Sequence, residues 1–277
     1  MKKVLLVLFN FLIVSVGIQA KGRFEAYDLG DFKLHVYYSN DGVGDVSYII
    51  EGNNELVTME QPLFKESVAE MDEYISKLGK PVARRISDYH TGGTGSHDVV
   101  MVEGMADFMK GEQFAGAMRK FTQSFGDALM EMPTGKILEV AYGTTQTWAG
   151  ISFEFTSELN SKSPGANILI GGKVYYAHWA PTKAHVSHMR VSSIEDIDVV
   201  IADMEKLLAS GVELFVGGHG EAVKSDVVEF KVAYLKKMRE ELKVNSSAQA
   251  FVEAMKRAYP DLSGEADLEK FAEAFYN

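Results

Sequence analysis

The sequence predicts an α+β protein, a four-layer αββα sandwich. Two observations predict it. Segments with strand alternation, joined by hairpin turns, are followed by amphipathic helical segments, and this order occurs twice along the chain. Two mixed sheets that each take helices on one face bury their other faces against one another. The second observation is that no Pro/Ser-rich linker or low-complexity tract follows residue 20. About 255 residues without such a break suit a single domain over residues 21–277.

Each element has its own signal. "FKLHVYYSN" alternates, with Phe32, Leu34 and Val36 on one side. "DVSYIIEGNNELVTME" is two strands joined through Gly-Asn-Asn, a hairpin signal. In "PLFKESVAEMDEYISKLG", Leu63, Val68, Met71, Ile75 and Leu78 recur at helical spacing, Gly79 caps the end, and Pro81 lies beyond it. "PVARRISDYH" is a short strand that enters a Gly-rich loop, and "DVVMVEG" is another strand. Residues 104–131 read as one helix whose stripe of Phe108, Phe114, Met118, Phe121 and Phe125 packs into the core.

The second block repeats the order. "GKILEVAYG", "GISFEFTS", "ANILIGGKVYYAHWA" and "VELFVGG" are strands, with Gly171 and Gly172 forming a two-residue turn. "SIEDIDVVIADMEKLLASG" is an amphipathic helix, capped by Ser192 or Ser193 and ended at Gly211. "AVKSDVVEFKVAYLKKMREELK" is a second long helix, and two short helices fill about 245–277.

Residues 1–20 stand apart. "MKK", the apolar run "VLLVLFNFLIVSVGI" and the small Ala20 have the layout of a secretory signal peptide. The run is short for a spanning helix, which needs about 20 residues. The chain has no Cys for a lipid, so no stable membrane anchor is expected after cleavage. The protein is then exported, to the periplasm or the outside. Without residues 1–20 there remain 26 basic side chains against 39 acidic, a net −13. Such a surface repels phosphate backbones and argues against a nucleic-acid partner. Without Cys, any catalysis rests on His, carboxylates, hydroxyls or a metal on N and O ligands.

Chemistry-bearing residues concentrate in "SDYHTGGTGSHD", residues 87–98, and in "GGHG", residues 217–220. Five stretches together resemble the metallo-β-lactamase superfamily over about residues 45–242. "YIIEGNNELVTMEQPLF" resembles its opening hairpin, with Glu60 where the family has Asp. "RISDYHTGG" resembles its His-x-His-x-Asp-His-x-Gly-Gly loop. "QTWAGISFEF" is similar to the entry that carries a His, and "GGKVYYAHWAP" to the hairpin that ends in Gly-Asp. "GVELFVGGHGEAV" is similar to the last strand, which ends in Gly-His-Gly.

The resemblance implies an αββα sandwich that holds one or two zinc or iron ions between its sheets, where a bound water becomes a nucleophile near neutral pH. Aligned on Gly92-Gly93, the family's loop ligands fall on Arg85, Ser87, Tyr89 and His90. The isolated His falls near Thr147, the bridging Asp on Trp179 beside His178, and the last His on His219. Only His90 and His219 match, so the dinuclear motif is degenerate, and Arg85 would repel a divalent ion.

A mononuclear site for one zinc or iron ion needs a third ligand. The candidates are His178, Asp88 and His97, and strand alternation leaves the side to which His178 faces open. Ring nitrogens within about 4 Å of one another would allow a shared ion. Asp88 or Glu60 would orient the water. Tyr89, Trp148 and Trp179, with Tyr142 and Tyr175, are candidates to line the cleft for a small-molecule ligand. His185 and His188 read as chance residues of a surface loop.

Three functions compete. One is an exported, divergent protein with weak or lost hydrolase activity that binds a small ligand. Another is a mononuclear hydrolase of esters, lactones or amides. The third is a partner-binding scaffold that uses the helices at about 245–277. Fold alone does not choose among them.

Overall fold

The computed structural model describes residues 21–159, 161, 163–186 and 191–277. The expected signal peptide at 1–20 and His188 lie outside the described residues. Among the described residues no helix is long and apolar enough to cross a membrane.

The first block forms a seven-stranded sheet in sequential order. Strands β1 (Arg23–Asp28), β2 (Lys33–Tyr38), β3 (Val46–Glu51) and β4 (Leu56–Gln61) pair antiparallel through hairpins. After helix α1 (Lys65–Leu78), strands β5 (Val82–Thr91), β6 (Val99–Val102) and β7 (Ile137–Val140) add in parallel. The expected helix over 104–131 is broken at Gly111, whose extended backbone separates α2 (Met105–Lys110) from α3 (Glu112–Phe125). Of the aromatic stripe, Phe108 on α2 packs against the core between the sheets, and the members on α3 do not. No residue of α3 is fully buried, and Phe114, Met118, Phe121 and Phe125 are half-covered.

The second block forms a five-stranded sheet in the order β12-β11-β10-β9-β8. Its strands are β8 (Thr144–Trp148), β9 (Ile151–Ser157), β10 (Ala166–Ile170), β11 (Val174–Tyr176) and β12 (Leu214–Val216). Gly171 and Gly172 both take positive φ, 57° and 69°, which a right-twisted two-residue hairpin requires. Helices α4 (Ile194–Ala209) and α5 (Ser225–Val244) follow, then α6 (Ala248–Ala258) and α7 (Glu265–Tyr276). Ser193 is the N-cap of α4, accepting from the Asp196 N–H.

Packing makes four layers. Between the sheets, Leu34, Val36, Tyr48, Ile50, Met59 and Ile86 meet Phe153, Phe155, Ile168, Val174 and Tyr176. On the far side of the first sheet, Met71 of α1 packs on Tyr37, Ile49 and Leu56. On the far side of the second, α4 and α5 cover Phe215, Leu169 and Tyr175. Helices α6 and α7 pack in turn on α5, through Phe251, Met255 and Leu268.

Candidate metal centre

The two sheets meet at one end through backbone stitching. Val46 N donates to Gly218 O at 2.9 Å, Gly218 N donates to His178 O at 3.0 Å, and Asp45 bridges His219. Tyr48 Oη, fully buried, donates to Gly217 O and accepts from Gly217 N. These bonds bring the exits of β11 and β12 against the entrance of β3 and the end of β5. Bare glycine is needed at the crossing. A Cβ on Gly218 would lie 2.7 Å from His178 Nδ1 and 3.0 Å from His90 Cε1. A Cβ on Gly92 would lie 2.4 Å from Pro62 O. That is why Gly92 sits where β5 leaves the sheet.

His90, His178 and His219 converge here. Each offers a ring nitrogen, and these three atoms lie within 4.8 Å of one another. Two donors about 2.1 Å from one ion stand at most about 4.2 Å apart. The rings therefore have to draw in by several tenths of an ångström to share one. The uncertainty over His178 resolves through period two. Tyr176 points into the core between the sheets, and His178 keeps its phase. Trp179, at the family's bridging position, instead stacks on the His219 ring with centroids 4.8 Å apart.

Carboxylates surround the imidazoles. Glu60 is fully buried and carries φ +56°, so a desolvated acid and a left-handed backbone coincide in one non-glycine residue. Its Oε1 accepts from Asp88 N at 2.6 Å. Its Oε2 makes no hydrogen bond and stands 3.3 Å from His90 Nδ1 and 3.9 Å from His178 Nδ1. Asp45, 3 % exposed, places Oδ1 3.6 Å from His90 Nε2 and 3.8 Å from His219 Nδ1. Asp88 turns elsewhere, accepting from Ala166 N at 3.1 Å and Tyr176 Oη at 3.4 Å. It supports Glu60 from behind.

Burial pushes all three carboxyls up, Asp45 and Asp88 well above the ordinary carboxylate range. Asp41 adds to the effect at Asp45, while the His90 charge opposes it at Glu60. Three imidazoles beside two desolvated acids, Asp45 and Glu60, each with one oxygen that accepts no hydrogen bond, form a donor set that fits a divalent cation.

The remaining sequence-based candidates scatter. Tyr89 lies edge-on to His178, with ring centroids 4.7 Å apart, and flanks the site. Trp148 does not. It packs on Phe153 and Phe155 at the β8–β9 turn, which abuts Gly52 at the opposite end of β3 from Asp45. Six residues of strand separate the two ends, on the order of 20 Å. Thr147 lies on that hairpin too. Tyr175 faces α4 and α5 rather than the cleft. There it helps line a cavity of about 130 Å³ behind Trp179, with Met204, Leu207, Phe215 and Lys231. His97 is exposed, outside the His cluster. His185 is fully buried rather than on a surface loop, with Nδ1 3.0 Å from Tyr234 Oη. Arg85 lies near Asp72 of α1, whose charge acts on its half-buried guanidinium. Sequence reasoning missed Asp45, whose only local signal is the turn in which Asp41 Oδ1 accepts from Val43 N and Gly44 N.

No family model matches the sequence, and no curated protein matches it. Solved structures do match. The DIM-1 metallo-β-lactamase superposes with a TM-score of 0.55 at 12% identity, over 79% of this chain and 99% of its own. A metallo-β-lactamase from Pontibacter korlensis gives 0.51 at 13% identity, over 77% and 99%. The stereoselective inverting sec-alkylsulfatase Pisa1 from Pseudomonas sp. gives 0.57 at 17% identity, over 91% of this chain and 50% of its own. Layer order, sheet topology and these superpositions agree: this chain has the metallo-β-lactamase fold.

Proposed function

We propose that the protein is an exported hydrolase that uses one divalent ion, zinc or iron, held by His90, His178 and His219. The observation that carries this reading is the convergence of three imidazoles from three different strand ends. Sequence alignment left only two of them in register. A divalent ion on such a set lowers the pKa of a water it binds, which is the chemistry that ester, lactone and amide hydrolysis needs at neutral pH.

The chain's own groups prepare the site. Glu60 beside Nδ1 of His90 favours the proton on that nitrogen and leaves Nε2 as donor. Gly44 O, 3.2 Å from His219 Nδ1, does the same for His219. Trp179 and Tyr89 wall the imidazoles with aromatic surface suited to an apolar or ring-bearing substrate. With the family's remaining ligand positions occupied by Arg85, Ser87, Tyr89 and Thr147, a second ion lacks donors, so efficient β-lactam hydrolysis is not expected.

The test is elemental analysis of protein purified without added metal, together with a panel of ester, lactone and amide substrates. About one zinc or iron per chain is expected, lost in His90→Ala and His219→Ala along with turnover. A wild-type protein that takes up no metal, and shows no thermal shift with zinc, instead supports ligand binding on a degenerate site. The scaffold reading receives less support. Phe251, Met255 and Leu268 of α6 and α7 are buried within the molecule's own helical cluster rather than presented outward.

A further inference from the structure

We propose that Asp45 is a further ligand at this centre and supplies the anionic oxygen that completes the three imidazoles; the inference rests on the metal-site reading above. Three observations carry it. First, Asp45 is 3 % exposed and its Oδ2 makes no hydrogen bond. A buried carboxylate is retained at such a position when something compensates its charge. Among the described residues no Lys or Arg stands within ion-pairing distance of it; the groups beside it are the Leu63 backbone N–H, His90 and His219.

Second, the separation from His90 selects the kind of contact. Oδ1 lies 3.6 Å from Nε2, too long for a hydrogen bond. Two ligands about 2.1 Å from a tetrahedral ion stand about 3.4 Å apart. The observed distance suits two groups facing a common cation.

Third, the tautomers agree. Glu60 faces Nδ1 of His90, and Gly44 O accepts from Nδ1 of His219. Both imidazoles thus keep Nε2 for an ion; Asp45 lies on the Nε2 side of His90, and on the Nδ1 side of His219, so it would reach the ion from the His90 side. Glu60 stands on the opposite, Nδ1 side of that ring, where an outer partner belongs. Three neutral imidazoles leave the full double charge of an ion uncompensated in a buried site. Asp45 halves it.

The substitution Asp45→Asn is suited to a test because the fold uses the residue's backbone. Ser39 N and Ser39 Oγ both donate to Asp45 O, not to its carboxylate. The experiment uses the chain without residues 1–20 only if the mature protein is shown to lack them, and otherwise the full chain. Zinc affinity is read by titration calorimetry, and the coordination sphere by the visible spectrum of the cobalt(II) form. Wild type is expected to bind one ion. Asp45→Asn is expected to bind at least about 100-fold more weakly with an altered cobalt spectrum. Asp45→Ser serves if Asn alters folding, as judged by circular dichroism.

Unchanged affinity and spectrum in Asp45→Asn would overturn the assignment while leaving the three-imidazole site intact. A spectrum changed by Glu60→Gln but not by Asp45→Asn would overturn it in favour of Glu60. No metal bound by wild type would overturn both this inference and the function on which it rests.

Discussion

At the scale of single residues, the site depends as much on an absent side chain as on those present. Gly218 is not among the positive-φ glycines, so its backbone admits alanine. The space does not, since the new methyl would stand 2.7 Å from one imidazole and 3.0 Å from another. Gly218→Ala is expected to fold, at a cost of about 1–2 kcal/mol for the overpacked contact. Its zinc affinity is expected to fall about 10–100-fold, as the rings are driven apart. Calorimetric titration beside a thermal melt checks both numbers, and undiminished affinity would show that the rings give way freely. Half of this centre was legible in the sequence. His90 and His219 sit in loops with Gly-Gly neighbours that carry a local pattern. His178 lay one place from its expected position, and only the phase set by Tyr176 decides its direction. Asp45 joins from 45 positions upstream of His90 by sheet pairing, which no local spacing encodes. Trp148 misses the cleft because the stretch that resembles a strand entry forms a hairpin, with Ala149 and Gly150 both at positive φ.

At the scale of elements, the turn and cap signals survived because they are local chemistry: the Gly79 and Ser193 caps, the Gly171-Gly172 turn and the hairpin from β3 to β4 all form where the residues indicate. What periodicity could not reveal is how many neighbours an element has. Helix α3 has an apolar stripe and little to bury it against, whereas α5 is packed on two sides. That double burial traps Lys231, 2 % exposed, whose Nζ donates to Ala184 O at 2.7 Å and lies 5.1 Å from the Tyr234 ring centre. Desolvation pushes its pKa down from 10.5 to about 8. Below pH 8 the lysine is charged in both states, and the fold bears the whole desolvation cost. Between pH 8 and 10.5 only the unfolded chain keeps the proton, so this residue's contribution to stability rises with pH. The total change is on the order of 3 kcal/mol. Lys231→Met removes the titration. Its stability advantage over wild type in urea unfolding is therefore expected to shrink by about that amount from pH 7 to pH 10.5. A difference that stays constant over this range would show that Lys231 is solvated.

At the scale of the whole molecule, the question is whether residues 245–277 are an appendage or part of one cooperative unit. Phe251, Met255 and Leu268 have no exposed surface, and they pack with Tyr234, Leu235 and Met238 of α5. Burying three such side chains is worth roughly 6 kcal/mol, against a total stability of about 5–15 kcal/mol for a typical domain. Helix α5 in turn reaches the second sheet through Val228 against Phe215, and that sheet carries His178 and His219 just past its strand ends. A chain ended at residue 244 would bare the apolar side of α5 and lose a stabilisation comparable to its whole margin. It is therefore expected to be insoluble, or to melt far below the intact protein without taking up zinc. In the intact protein, far-ultraviolet circular dichroism, which weighs the helices, and fluorescence of Trp148 and Trp179, which report the two ends of the sandwich, are expected to give coincident urea transitions. An earlier transition seen by circular dichroism alone, with the tryptophan signal and zinc binding unaffected, would separate α6 and α7 as an independent unit and detach the helical cluster from the metal centre.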